Sequence, residues 1–432
     1  MNFRIITLGC KVNQYESQVM GENLENNGYI RAPENGPADI TVINTCTVTS
    51  AGDSKNKKLV RRVRRENPDG IIVLTGCMPQ AFPDETDLFE GCDIVLGNAS
   101  RAELLPALQE FFLVHRQLVR ITPHKGEKFE KMSASAFEGH TRAFVKIEDG
   151  CNRFCSYCII PYARGRVRSK ELSDLKSEVQ SLADNGYKEV VLVGINLSAY
   201  GQGTEYNLCD AVETAAEIEG IERVRLGSLE PERMDRDTIA RLASCKKLCP
   251  QFHLSLQSGC DATLRRMNRH YTADEYEKIV SDLRLAFENC AITTDIMVGF
   301  AGETEEEFAQ SLAFAEKIGF AKIHTFAYSR RKGTVADKAP DQVARAVKTE
   351  RAKIMADTAS KLRKSFLETQ VGRVENVLFE RLKPEGFCEG YTANYTPVRL
   401  MTDKDLSGQI LPVKIVSAED DYCVAESSAM TF

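Results

Sequence analysis

Short runs of β-branched and apolar residues recur along the first hundred positions of the chain. RIITLGC (4–10), ITVINTC (40–46) and IIVLTGC (71–77) each close on a cysteine, whereas DIVLGN (93–98) does not. Between them lie stretches with helical spacing, such as NQYESQVMGENLENNG and SAGDSKNKKLVRRVRREN. Strands alternating with helices predict an α/β region built on a doubly wound parallel sheet. The carboxyl ends of such strands share one edge, where ligands bind. Cys10, Cys46 and Cys77 are therefore predicted to converge there.

Residues 112–142 lose this periodicity and gain charged and small polar residues, so they read as a linker after an N-terminal domain at 1–111. A second series starts at Ala143. Its strand patterns are AFVKI (143–147), VVLVGIN (190–196), RVRLGSL (223–229), QFHLSLQ (251–257), ITTDIMVGF (292–300) and KIHTFAY (322–328). Helical patterns separate them, which predicts a partial (β/α)6 barrel over 143–369, short of the closed eightfold form. From Gln370 to Phe432 short strand patterns alternate with Gly, Pro and Asp, the signature of a small all-β barrel.

A length of 432 residues agrees with several domains, because one hydrophobic core does not grow to that size. Hydrophobic content of 43% with 27% charged residues excludes fibrous and low-complexity classes. The net charge of −6 argues against bulk non-specific nucleic-acid binding and leaves room for a local basic face. No apolar run of about 18 residues and no signal-peptide pattern occurs, so a cytoplasmic protein without membrane association is expected. Fourteen cysteines in a reducing compartment point to metal or redox use at motif spacing, not to disulfides.

The densest motif is GCNRFCSYCIIPYARGRVRS (150–169), with Cys151, Cys155 and Cys158 within eight positions and Tyr157 beside the last. It follows the first strand of the barrel series, at the end where barrel active sites lie. Three thiolates on one loop can each take an iron of a four-iron cluster and leave the fourth iron open. A structural zinc knuckle lacking one ligand, or ordinary core cysteines, are the plainer alternatives.

This loop resembles the signature of the radical S-adenosylmethionine family. CSYCIIPYARGRVRS, LVGINLSAYG, GSLEP, HLSLQSGCDATLRRMNRHYT, DIMVGFAGETEEEF and FAYSRRKGT resemble, in order, the blocks of its methylthiotransferase branch. The tail resembles a TRAM domain. LGCKVNQYES resembles the tRNA N6-threonylcarbamoyladenosine subtype more than the isopentenyladenosine or ribosomal-protein subtypes. Lys170 stands where the family often has arginine, and Ala301 where it often has proline.

The resemblance implies two [4Fe–4S] clusters. Cys151, Cys155 and Cys158 would hold the one whose open iron binds S-adenosyl-L-methionine and cleaves it to a 5′-deoxyadenosyl radical. Cys10, Cys46 and Cys77 would hold the one that carries the sulfur to be inserted, with Asn13 and Asn44 nearby. The implied substrate is N6-threonylcarbamoyladenosine in a tRNA anticodon stem-loop, methylthiolated at C2. A flavodoxin or ferredoxin is expected as electron donor, and a monomer as the working state.

Polar residues at successive strand ends are candidates for the cofactor pocket: Gly194 and Asn196, Ser228 and Glu230, Ser255 and Gln257, with Tyr157 and Arg168 or Arg166 beside the loop. The carboxylate of Glu230 suits ribose hydroxyls, and an arginine suits the cofactor carboxylate. For RNA, the basic run KNKKLVRRVRR (55–65) is the strongest local signal, although a solvated helix face is its ordinary reading. In the tail, Arg373, Arg381, Lys383 and Arg399 would have to cluster while Phe387, Tyr391 or Tyr395 stack on bases. The other eight cysteines read as core or surface thiols, and GFAGET lacks the lysine of a phosphate loop. Competing readings are a sister methylthiotransferase and a non-catalytic zinc-containing RNA-binding protein.

Overall fold

In the computed structural model, which describes residues 1–33, 36–48, 50–137 and 139–427, the N-terminal region forms a six-stranded parallel sheet. Its spatial order is Ile30–Arg31, Asn2–Thr7, Ile40–Thr45, Ile71–Gly76, Ile94–Leu96, Leu118–Arg120. Ile40–Thr45 and Ile71–Gly76 are buried throughout, which suits runs that are apolar at odd and even positions alike. Val42 and Val73 feed one core with Leu24 and Leu108, while Ile43, Ile72 and Leu74 feed another with Val60 and Val63. The strand order reverses beside Asn2–Thr7, and a crevice opens there at the carboxyl ends. The edge strands Ile30–Arg31 and Leu118–Arg120 were not predicted, being too short to show a period. The second lies in the stretch read as a linker, so the sheet continues past residue 111.

The central strands are Arg142–Lys146, Glu189–Val193, Arg223–Leu226 with Ser228–Leu229, Gln251–Leu254, Ala291–Val298 and Lys322–Ala327. Every pairing among them is parallel, and helices cover the outside, giving the expected open barrel. The third run divides at Gly227: its first half pairs with Glu189–Val193 and its second with Gln251–Leu254. A Cβ on Gly227 would come within 3.2 Å of the Leu192 carbonyl oxygen, so glycine permits the close approach at this break. Helix Lys11–Asn26 of the N-terminal region packs along the edge strand Arg142–Lys146.

After the helix Arg345–Glu368, five strands close a barrel in the order Val374–Lys383, Phe387–Thr392, Pro397–Met401, Cys423–Ser427, Ile410–Ala418. Closure leaves no free sheet edge. This barrel sits at the amino ends of the central strands. Arg223 donates to the carbonyls of Asn376 (2.6 Å) and Tyr391 (3.2 Å), and Arg225 to that of Ala393 (2.9 Å). The opposite mouth of the open barrel faces the N-terminal sheet. Among the described residues, no helix is long and apolar enough to cross a membrane.

Candidate active site

The three-cysteine loop is held by its backbone. Gly150 has φ +87°, and a Cβ there would meet the Arg166 carbonyl oxygen at 2.1 Å, so only glycine fits the turn into Cys151. The Cys151 amide donates to the Gly165 carbonyl (3.0 Å) and the Cys158 amide to that of Cys155 (2.9 Å). Arg153 donates its backbone N–H to Cys151 Sγ at 3.4 Å, and Arg269 lies 3.5 Å from Cys155 Sγ. Burial pushes the Cys151 thiol up to about 11 and Cys158 up to about 12. Cys151 and Cys158 are therefore neutral thiols without metal, and metal binding releases their protons.

Cys10, Cys46 and Cys77 follow three adjacent strands and meet at the crevice. Gly9 has φ +111°, and a Cβ there would lie 2.7 Å from Cys46 Cβ and 3.1 Å from its Sγ. Cys10 is exposed at the start of helix Lys11–Asn26, Cys46 is half-buried, and Cys77 is buried at the start of helix Cys77–Ala81. Burial, reinforced by Cys77, pushes the Cys46 thiol up to about 11. Asn13 spans the crevice, donating to the carbonyls of Leu8 and Thr45, both at 2.9 Å. Asn44 donates to Asn13 O and Ser17 Oγ, each at 3.0 Å, so both asparagines brace the strand ends.

A buried ionic network joins the two cysteine sets. Arg164, six residues after Cys158, donates to Cys77 Sγ (3.3 Å), Asn13 Oδ1 (2.8 Å), Glu16 Oε1 (2.8 Å) and Asp149 Oδ1 (3.0 Å). Lys146 reaches Glu16 at 2.7 Å and Asp149 at 2.6 Å, and Arg101 reaches Glu16 at 3.0 Å. Burial alone would raise the Glu16 carboxyl, but Arg101, Arg164 and Lys146 outweigh it and hold it well below the usual range. Apart from Cys77 and Asn13, none of these residues was singled out from sequence. The available signal was Lys146, a charge inside an otherwise apolar strand, since buried charges require partners.

The strand-end residues divide in their surroundings. Asn196 Nδ2 lies 3.7 Å from Cys151 Sγ, and its backbone N–H donates to Glu148 Oε2 at 2.7 Å. Gly194 makes room for Glu148: a Cβ there would come 2.7 Å from Oε2. Burial raises the Glu148 carboxyl to about 8, against the Asn196 N–H that favours its anion. Glu230 is gripped by Arg269 at 2.5 and 3.2 Å, and Arg269 also donates to the Ser255 carbonyl at 2.9 Å. Ser228 is exposed at its strand end. Gln257, at φ +68°, bonds through its backbone to Asp295 (2.9 Å) and Met297 (2.8 Å). Tyr157 packs edge-on against Phe300.

Arg168 pairs with Asp149 (3.3 Å) and Glu127 (3.2 Å) and donates to the carbonyls of Arg164 and Arg166, so its guanidinium braces the loop's return strand. Arg166 is exposed and lies over the Phe154 ring. Lys170 forms a buried pair with Glu178.

Inside the barrel a polar belt runs from strand to strand. Arg225 reaches Glu189 (2.8 Å) and Gln251 (3.4 Å), Gln251 and His253 reach Thr293 (3.3 and 3.1 Å), and His253 approaches Asp295 (3.5 Å). His253, Asp295 and His324 offer ligand atoms within 4.8 Å of one another. Lys11 reaches solvent, but crowding by the surrounding protein, with Arg142 and Arg225, pushes its ammonium down to about 8.

The expected RNA contacts are engaged elsewhere. Tyr391 and Tyr395, both half-buried, stack on each other at 4.5 Å, with Arg142 at 4.9 Å from both rings. Phe387 lies under Arg399. In the basic run, Lys57, Arg61, Arg62 and Arg64 pair with Asp87, Glu90, Glu66 and Asp93. Of the eight remaining cysteines, Cys245 and Cys290 are half-buried and the others are buried.

Comparison with known proteins agrees with this geometry. Residues 145–315 match the Radical SAM superfamily and residues 2–97 match the Uncharacterized protein family UPF0004. The chain is 37% identical over 424 residues to the threonylcarbamoyladenosine tRNA methylthiotransferase MtaB of Bacillus subtilis, covering 96% of this chain and 94% of that protein. It is 36% identical over 427 residues to the tRNA-2-methylthio-N(6)-dimethylallyladenosine synthase of Pelotomaculum thermopropionicum, covering 96% and 95%. The radical S-adenosylmethionine methyltransferase TsrM from Kitasatospora setae shares the fold, with a TM-score of 0.57, 15% identity, and 75% of this chain and 72% of that one covered.

An open parallel barrel carrying this three-cysteine loop at its mouth defines a radical S-adenosylmethionine enzyme, a class that uses a [4Fe–4S] cluster and S-adenosyl-L-methionine. The chain belongs to the methylthiotransferase family of that class. The residues present fit the cofactors. Beside the three thiols, Asn196 Oδ1 is a buried acceptor without a partner among the described residues, suited to a donor such as the cofactor's amino group, and Glu148 Oε1 is buried and unpartnered next to it.

Proposed function

We propose that this enzyme converts N6-threonylcarbamoyladenosine beside the anticodon of tRNA to its 2-methylthio derivative, using two [4Fe–4S] clusters. The observation that carries this reading is the convergence of two three-cysteine sets across one buried ionic network centred on Arg164. A single radical-generating site would need only the loop cysteines. A second thiolate set a short distance away suits a reaction that must also deliver sulfur. The subtype rests on LGCKVNQYES and on the threonylcarbamoyladenosine enzymes among the relatives.

When bound, the clusters and S-adenosyl-L-methionine supply hydrogen abstraction from the substrate carbon and the methylthio group. The chain's own residues orient and shield. Cys151, Cys155 and Cys158 would hold the radical-generating cluster, and Cys10, Cys46 and Cys77 the sulfur-bearing one. Asn196 would offer an acceptor to the cofactor's amino group, with Glu148 beside it, and Glu230, fixed by Arg269, would accept from its ribose hydroxyls. The Arg164 guanidinium holds Cys77 while keeping Glu16 and Asp149 ionised, which fixes the distance between the two sets. A flavodoxin or ferredoxin would deliver electrons to a monomeric, cytoplasmic enzyme.

Mass analysis of tRNA nucleosides from a deletion strain tests the reading. Loss of the 2-methylthio-threonylcarbamoyl nucleoside alone supports it. Loss of the 2-methylthio-isopentenyl nucleoside, with the former retained, overturns the substrate assignment.

A further inference from the structure

Lys11 directly follows Cys10 and opens the helix that lies along the barrel's edge strand. Its side chain is solvent-accessible, yet the charges acting on it belong to the barrel interior: Arg142, Arg225 and Glu189. It lies 5.8 Å from the Phe144 ring centroid and its charge also acts on His324 on the last strand. Among the described residues it has no hydrogen bond or ion pair. Arg142 is engaged with Glu380, and Arg223 and Arg225 with Glu189. Lys11 is thus an ammonium beside the barrel's polar belt with no ion pair among the described residues, one residue from Cys10.

The surrounding charge selects the ligand's sign. Lys11, Arg142, Arg225 and Lys322 outnumber the carboxylates Glu189 and Asp295. A positive cavity disfavours a metal ion on the His253–Asp295–His324 group and favours an anion. A threonylcarbamoyl group carries a free carboxylate, whereas an isopentenyl group is apolar and uncharged. We propose that Lys11 is the specificity residue of this enzyme, pairing its ammonium with the carboxylate of the substrate's modified adenosine. This rests on the substrate reading above and adds the residue that performs it. Phe326, half exposed on the same face of its strand as His324, offers an apolar surface two residues further toward the mouth.

The test measures binding by anaerobically reconstituted enzyme to synthetic anticodon stem-loops. Three RNAs are compared, bearing threonylcarbamoyladenosine, its carboxylate methyl ester, and isopentenyladenosine. Wild type is expected to bind the free acid about 10- to 100-fold more tightly than the ester, as befits a charged hydrogen bond in a protected site. Lys11→Met is expected to bind acid and ester alike, and Lys11→Arg to recover most of the preference. Equal iron per chain in the variants verifies that Cys10 still binds its cluster. Should Lys11→Met lose iron, the acid-to-ester ratio of wild type decides alone.

If wild type favours the threonylcarbamoyl RNA over the isopentenyl RNA but treats acid and ester alike, the carboxylate pairing falls and the substrate reading stands. A Lys11→Met enzyme that keeps the full acid preference overturns the role of Lys11. Wild type that favours isopentenyladenosine overturns both.

Discussion

The two cysteine sets reach the same end by opposite routes. Cys151, Cys155 and Cys158 sit on one loop, so their approach costs little chain entropy and depends on one glycine and a few backbone hydrogen bonds. Cys10, Cys46 and Cys77 come from three strands, and nothing local brings them together. Their assembly depends on the sheet, on Asn13 across the crevice, and on Arg164 from the neighbouring barrel.

The nearby glutamates differ in the same way. Among the described residues Glu148 has no ion pair, and burial raises its carboxyl to about 8. Glu16 lies among Arg101, Arg164 and Lys146 and stays ionised despite its burial. A locally built site tolerates a neutral acid beside it. An interface-built site needs charges whose partners lie on the other side of the interface.

The strongest way to break this comparison is to remove each set. Cys151→Ala/Cys155→Ala/Cys158→Ala is expected to abolish S-adenosylmethionine cleavage, whereas Cys10→Ala/Cys46→Ala/Cys77→Ala should still cleave it and yield no methylthiolated RNA. Iron per reconstituted chain should fall from about eight to about four in either case. Four irons in both wild type and the N-terminal variant would remove the second cluster.

Arg164→Met comes next. It leaves Glu16 and Asp149 with fewer partners in a buried site, and breaking such pairs costs about 3–5 kcal/mol. Denaturant titration should show that loss, and iron should fall mainly from the N-terminal set. A stable variant with full iron would show that the two sets assemble independently.

Gly9→Ala places a methyl group against Cys46 in a backbone conformation that side chains rarely adopt, at about 1–3 kcal/mol. The measurable sign is weaker iron retention under a chelator, with cleavage activity intact.

The smallest effect is expected at Glu148. Its folded-state pKa lies above its unfolded value, so its contribution to stability is full below about 4.5 and is lost as pH rises through about 8. Glu148→Gln should remove that loss, so the variant gains stability relative to wild type between these limits. Relaxation around buried charges keeps the gain on the order of 1 kcal/mol. Unfolding curves of metal-free protein at pH 5 and pH 9 check the sign; a difference that does not change with pH would mean that Glu148 is not the titrating group.

Much of the architecture was legible as pattern. Apolar runs of five or six residues announced the buried parallel strands, and Gly and Pro punctuation announced the closed barrel of the tail. The loop cysteines were legible because their geometry is local. The sheet-edge position of Cys10, Cys46 and Cys77 followed from topology alone, since every parallel strand ends on the same side. Arg164 was passed over for Arg166 and Arg168, because three arginines in five residues look alike until one is buried. Tyr391 and Tyr395 were candidates to stack on bases if the tail meets RNA, and Arg142, from a strand some 250 residues earlier, lies against both rings.

By itself, then, the amino-acid sequence determined the alternation of elements, the three-thiol loop and the edge where the other three cysteines gather. Periodicity and strand direction are properties of neighbouring residues and survive in a one-dimensional reading. Only the tertiary structure decided which charges pair, which aromatic rings stack and which charges surround Lys11. Those outcomes depend on desolvation and on distances of a few ångströms between segments far apart in the chain, which no local pattern encodes.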